Sequence, residues 1–384
     1  MRRGIVLIQV CVLLLLAPTP LPACFWDYDT LQMERQRFPY AQELIAGHFL
    51  RHSEAYYQWR VQDRSAKPSA ERSLADFDDL AVAYEKLGEH DRAIEVIQEK
   101  MASWPDEGRY ESEANLGTFL IHAGRYEEGL EHIQRAIEIN PEAHFGREIY
   151  QKLLVKYVIR QREQGATLPL KQRGNNGFTA FVFEQQQIPE EDRQAEIRKA
   201  VKGVLGMMRF GNYRSPILLE ALGDLLLSNG QQDDSKLLAA RAYLKASYEA
   251  PETKAKEEYR TKAAEALQMQ FGKKLSELET ELQQDIKTAE EYYSRIEADE
   301  HRWSENGKNL DHEFNLKYYK NPTLPYAPDP EVAQSGFKAK TGLPVAQLVQ
   351  RALLYVMLAG AVVLLIVLRI SRNRRRRLVT DQGP

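Results

Sequence analysis

The chain reads as an all-α protein: a solenoid of stacked helical hairpins, then a long charged C-terminal helix or helix pair, then a single C-terminal transmembrane helix. Three observations predict this. One pattern of small and apolar residues occurs twice at the same internal spacing. Gly and Pro fall where that pattern needs helix ends. An uncharged apolar run near the C-terminus is bounded by arginines.

The first copy is Phe77-x-x-Leu80-Ala81-x-x-Tyr84, then Ala93-x-x-x-Ile97, then Pro105. The second is Glu113-x-x-Leu116-Gly117-x-x-Leu120, then Gly129-x-x-x-Ile133, then Pro141. Ala81 and Ala93 are twelve residues apart, and so are Gly117 and Gly129. The surrounding apolar residues keep helical spacing. The small residues let two helix backbones approach, so each copy closes as a hairpin. Gly88 and Gly124 stand where a left-handed helix cap is needed, and Pro105 and Pro141 stop the second helix. The copies span 74–107 and 110–143 inside a repeat core of 69–164.

This pattern resembles the tetratricopeptide repeat (TPR) family, with Phe77 and Glu113 in place of the usual first Trp. Over its whole length the chain is similar to bacterial membrane-anchored TPR proteins. The resemblance implies an array that binds a protein or peptide partner. A clamp for acidic C-termini, known in some TPR domains, matches only Asn115; Asp78, Val82, Ile217 and Ala221 occupy its other positions.

A third copy, about 216–251, contains Leu219-x-x-Leu222-Gly223-x-x-Leu226, Ala239-x-x-x-Tyr243 and Pro251. Its two small residues are sixteen apart, and Gln231–Ser235 absorbs the extra length. An ordinary amphipathic hairpin explains these residues equally well.

Before the repeats, residues 24–68 read as capping helices, with Ser53 as an N-cap and Tyr56 and Trp59 facing inward. Such a pair is expected to cover the open end of the first repeat. After Pro141 comes a helix over 144–164. Gly165–Pro189 then reads as a long insertion loop with a β-prone run at Phe178–Phe183. A helix resumes at Glu190–Arg209. Residues 252–306 are charged, with Phe271, Leu275, Leu278, Leu282, Ala289, Tyr292 and Ile296 at roughly 3.5-residue spacing. Asp285 interrupts that stripe. Either one long coiled-coil-like helix or two helices breaking at Gly272 fits.

The two ends place the body. Met1-Arg2-Arg3 and the apolar Ile5–Ala17 read as a secretory signal over 1–23. Leu21-Pro22-Ala23-Cys24 also resembles a lipoprotein cleavage box, making Cys24 the candidate lipid-attachment residue. Pro-rich residues 307–344 form an extended linker. Residues 345–370 form the membrane helix, with the uncharged run Ala352–Leu368 at its centre. The tail at 371–384, with Arg372 and Arg374 to Arg377, belongs on the cytoplasmic side. Membrane attachment by this helix with an exported, periplasmic or extracytoplasmic body follows.

Formal charge is −3, with the excess of basic residues at the two ends. The exported part is acidic, which excludes nucleic acid as a partner. Cys11 leaves with the signal, so no internal disulfide is expected. No catalytic, cofactor or metal motif is present. His122 and His132 share one hairpin without a third ligand. Two other classes fit the sequence: a spacer that oligomerises through 252–306, and an enzyme with its site in 165–189.

Overall fold

The computed structural model describes residues 40–141, 146–170, 177–228, 233–268 and 273–319. All of these belong to one compact unit. The signal, Cys24, the linker beyond 319, the 345–370 segment and the basic tail lie outside the described residues. Among the described residues there is no strand, and no helix is long and apolar enough to cross a membrane.

The first repeat consists of α3 (Leu74–Lys86) and α4 (His90–Ser103), preceded by α1 (Ala41–Ala46) and α2 (Glu54–Ser65). Helix α3 starts at a capping box, in which Ser73 and Asp76 each accept the other's backbone N–H. The second repeat consists of α5 (Arg109–His122) and α6 (Tyr126–Ile139). Gly88 and Gly124 turn the two hairpins with φ of 79° and 82°, a region where a Cβ is strained. Pro105 and Pro141 are exposed beyond the second helices.

Three helices follow: α7 (Arg147–Glu163), α8 (Gly177–Gln186) and α9 (Arg193–Met207). Helix α9 runs into a π-turn over Met208–Asn212. Then come α10 (Pro216–Ser228), α11 (Asp233–Glu249) and α12 (Thr253–Gln268). The long α13 (Leu275–Glu305), the short α14 (Leu310–Phe314) and a π-turn over Asn315–Tyr319 close the described chain. Among the described residues three apolar cores result. One joins α3, α4 and α5. The largest joins α1 to helices α7 through α13. A third joins α2, the end of α13 and α14 around Tyr56, Trp303 and Phe314.

Residues 177–186 form a helix, where the sequence suggests a loop with a β-prone run. Phe178, Phe181 and Val182 repeat at helical spacing and are buried, and Tyr157 meets the rings of Phe178 and Phe181 at 5.7 and 5.4 Å. The helix therefore forms on a tertiary template that its own apolar content does not announce. The sequence also hides a hairpin. Helices α7 and α9 pack together, and a Cβ on Gly203 would lie 2.5 Å from the Tyr150 ring. Residues 164–192 are inserted between the two arms of that hairpin, which erases the repeat spacing.

The N-terminal helices do not act as a pair. Helix α2 packs on α3, and α1 packs on α11 and α13. Residues 252–306 form two helices. Helix α12 pairs with α11, and α13 turns back onto α1, α2 and α11. At 31 residues α13 is about 45 Å long, enough to join the C-terminal helices to the N-terminal ones. Its stripe of Leu278, Leu282, Ala289, Tyr292 and Ile296 is buried within this chain. Asp285 interrupts the stripe because it pairs with Arg241 of α11, which is itself buried.

Candidate functional site

The first helices of successive units exchange polar contacts: α3 packs on α5, and α7 reaches α5 through a side-chain hydrogen bond. Asn115 of α5 donates to Asp78 of α3 at 3.4 Å. Gln151 of α7 donates to Thr118 of α5 at 2.9 Å. Beneath them Lys100 is fully buried and donates to both Asp78 oxygens at 2.7 Å. Burial still pushes the Asp78 carboxyl up, against the pull of Lys100. Val82 and Thr118 remain half-buried along this ribbon.

The repeat-defining residues stand behind it. Leu80, Ala81, Ala93 and Ile97 are buried in the first unit, and Leu116, Leu120 and Ile133 in the second. Tyr84 is half-buried. Gly117 and Gly129 mark the place where α5 and α6 touch. A Cβ on Gly117 would lie 2.9 Å from the Gly129 carbonyl oxygen, and one on Gly129 would lie 2.8 Å from the Gly117 oxygen. In the third copy Leu222 is buried, and a Cβ on Gly223 would meet the Tyr243 ring at 2.4 Å. Small residues thus set the hairpin spacing, and the polar ribbon rests on that frame.

His122 and His132 do not come together. His122 and His90 share Glu85, through Nδ1 contacts of 2.5 and 2.8 Å. His132 contacts Glu113 at 2.6 Å. Glu113, which takes the place of the usual first Trp, also receives Arg135 and Arg109 at 3.1 and 2.8 Å. Burial opposes its ionisation, but His132 and Arg135 hold its carboxyl below the ordinary value. No group of three or more His, Cys, Asp or Glu that could hold a metal occurs among the described residues.

A buried polar hub escaped the sequence reading. Glu220 and Asp224 are one helical turn apart on α10 and are 1% and 2% exposed. Lys262 of α12 reaches them at 2.8 and 3.4 Å. The Tyr259 hydroxyl donates to Glu220 at 2.8 Å, and the Tyr243 hydroxyl to Asp224 at 2.6 Å. The backbone N–H groups of Leu170 and Phe178 complete the set at 2.9 and 3.0 Å. The insertion is therefore fastened to the array by two carboxylates. The signal was present in the sequence: two acids one turn apart inside the otherwise apolar Pro216–Ser228 helix. Buried charges need partners, and that requirement predicts a hub.

The fold and this ribbon define an α-helical repeat array, built to present one face of successive helices. A family model described as tetratricopeptide repeat matches residues 112–142, within the second unit. The comparison with curated proteins returned no match.

Proposed function

We propose that the protein is a membrane-anchored scaffold whose exported body binds a protein or peptide along the α3–α5–α7 ribbon in the bacterial envelope. The single observation that carries the binding role is the matched repeat at 112–142. TPR arrays generally bind proteins and are typically not enzymes. The anchoring and export rest on the sequence: a leader at 1–23, a spanning segment at 345–370 and the following arginines. The body then faces outward and the tail stays in the cytoplasm.

The oligomerising-stalk alternative loses its surface, because the stripe it needs is buried against this chain's own helices. Photo-crosslinking in intact cells tests the scaffold. A crosslinker at Val82 or Thr118 is expected to trap a discrete partner, and one at Glu127 on the outer face is not. Equal labelling from both faces argues against a groove. Protease shaving of spheroplasts tests the topology, with digestion of the body and survival of the tail expected.

A further inference from the structure

Arg51 connects α1 to α2 and is unusual among the charged residues. Its guanidinium lies 3.9 Å from the Tyr293 ring centre, 4.9 Å from that of Tyr213 and 5.3 Å from that of Phe49. Three elements, the α1–α2 connection, the α9–α10 junction and α13, thus clamp one planar group. Its hydrogen-bond partner is the Gly47 carbonyl, which accepts from Nη1. No carboxylate pairs with Arg51 among the described residues. An arginine has five N–H donors, so most of this fork is unused.

Carboxylates act on its neighbours, Glu249 and Glu290 on Arg214 and Glu297 on Tyr293, and none is among the groups acting most strongly on Arg51 itself. The groups acting most strongly on Arg51 are the hydroxyls of Tyr213, Tyr293 and Tyr292 and the guanidinium of Arg214. Arg214 gives its Nε to Glu249 at 2.9 Å and is otherwise largely exposed. Burial draws the Arg51 pKa down, as expected of a cation that lacks a partner. Elsewhere, the buried arginine Arg241 has Asp285 and the half-buried Arg60 has Asp311.

We propose that Arg51 anchors a carboxylate-binding niche on this protein, fitted to an acidic side chain of a protein partner. The aromatic rings hold the guanidinium in orientation and leave its fork free for a two-pronged contact. Arg214 stands beside it as a second cation. The scaffold reading enters only as the source of the carboxylate. The niche lies outside the matched repeat, and none of its residues belongs to α3, α5 or α7.

The test is titration of the full-length protein with an N-acetylated, C-amidated peptide of alternating Glu and Gly, followed by calorimetry. Saturable binding that weakens with salt is expected. A matching Gln–Gly peptide should not bind. Arg51→Lys keeps the charge but loses the fork, and should weaken binding about tenfold while the protein remains folded by circular dichroism. Arg214→Gln, at an exposed position, should weaken it a few-fold. No binding by wild type, or equal binding by R51K, overturns the proposal. If R51K unfolds, unchanged binding by R214Q overturns it instead. Competition by inorganic phosphate at concentrations where acetate has no effect would overturn the carboxylate assignment. None of these outcomes bears on the crosslinking from Val82 and Thr118, so the two readings fail separately.

Discussion

The Tyr56 hydroxyl of α2 donates to Asp311 of α14 at 2.5 Å, across 255 positions of chain. Arg60 reaches the same carboxylate at 2.9 Å, and Arg64 also pairs with it. The helix that caps the first repeat is thereby tied to the end of the described chain.

That junction should be sensitive to acid. Burial alone would raise the Asp311 pKa, but Arg60, Tyr56 and Arg64 hold it at about 2, below its ordinary 3.8. A lowered carboxylate pKa contributes stability that is complete above the unfolded value and is lost as pH falls through the folded one. The window here is pH 4 to 2. Asp311→Asn is expected to cost at most about 2 kcal/mol at pH 7 and much less near pH 2. Urea unfolding at the two pH values measures this, and an equal cost at both would remove charge as the cause.

Gly117→Ala separates packing from helix propensity. Alanine gains about 1 kcal/mol in a helix interior, but the new Cβ would sit 2.9 Å from a backbone oxygen that cannot swing away. Overpacking of that kind costs about 1–3 kcal/mol, so net destabilisation is expected. Gly206→Ala meets only the flexible Arg147 side chain, at 3.2 Å, and should be neutral or stabilising. Thermal unfolding is expected to show a loss for Gly117→Ala and no loss for Gly206→Ala.

The pairing of Arg241 with Asp285 places one charge pair in an apolar seam. Asp285→Ala leaves Arg241, 3% exposed, with Glu281 at 3.9 Å as its one carboxylate among the described residues. Removing one partner of a buried pair costs about 3 kcal/mol or more. The double replacement Arg241→Met with Asp285→Leu should recover much of that loss. A denaturation cycle over the four proteins gives the coupling, and strict additivity would contradict it.

Leu282 distinguishes a strap from a stalk. It is fully buried in the largest core, and truncation of such a leucine costs about 2–5 kcal/mol. Leu282→Ala should lower stability and leave the sedimentation behaviour of the full-length protein unchanged. A shift in association state without a loss of stability would restore the stalk.

Legibility followed the range of the interactions. The two hairpins could be read because their small residues, caps and prolines act within about thirty-five residues. The stripe on α13 could also be read, but not its partner: a 3.5-residue spacing specifies a face and leaves open what covers it. In sequence Asp285 reads as a defect in that stripe, and Arg241 opposite it in the fold accounts for it. In sequence the segment of helix α8 reads as a loop because its burial depends on Tyr157 and on the hydrogen bond from the Phe178 N–H to Asp224. The α7–α9 hairpin leaves no repeat spacing in the sequence because the insertion separates its arms.

By itself the sequence determined an all-helical repeat architecture and the places where its helices must touch, because period and side-chain size are local properties of the chain. Only the tertiary structure decided that α13 folds back on α1 and α2, that Glu220 and Asp224 are buried together, and that Arg51 lies among aromatic rings without a carboxylate. Those arrangements join residues dozens to hundreds of positions apart. Which apolar faces and charges meet there depends on how the whole array curves, and no short stretch of sequence encodes that.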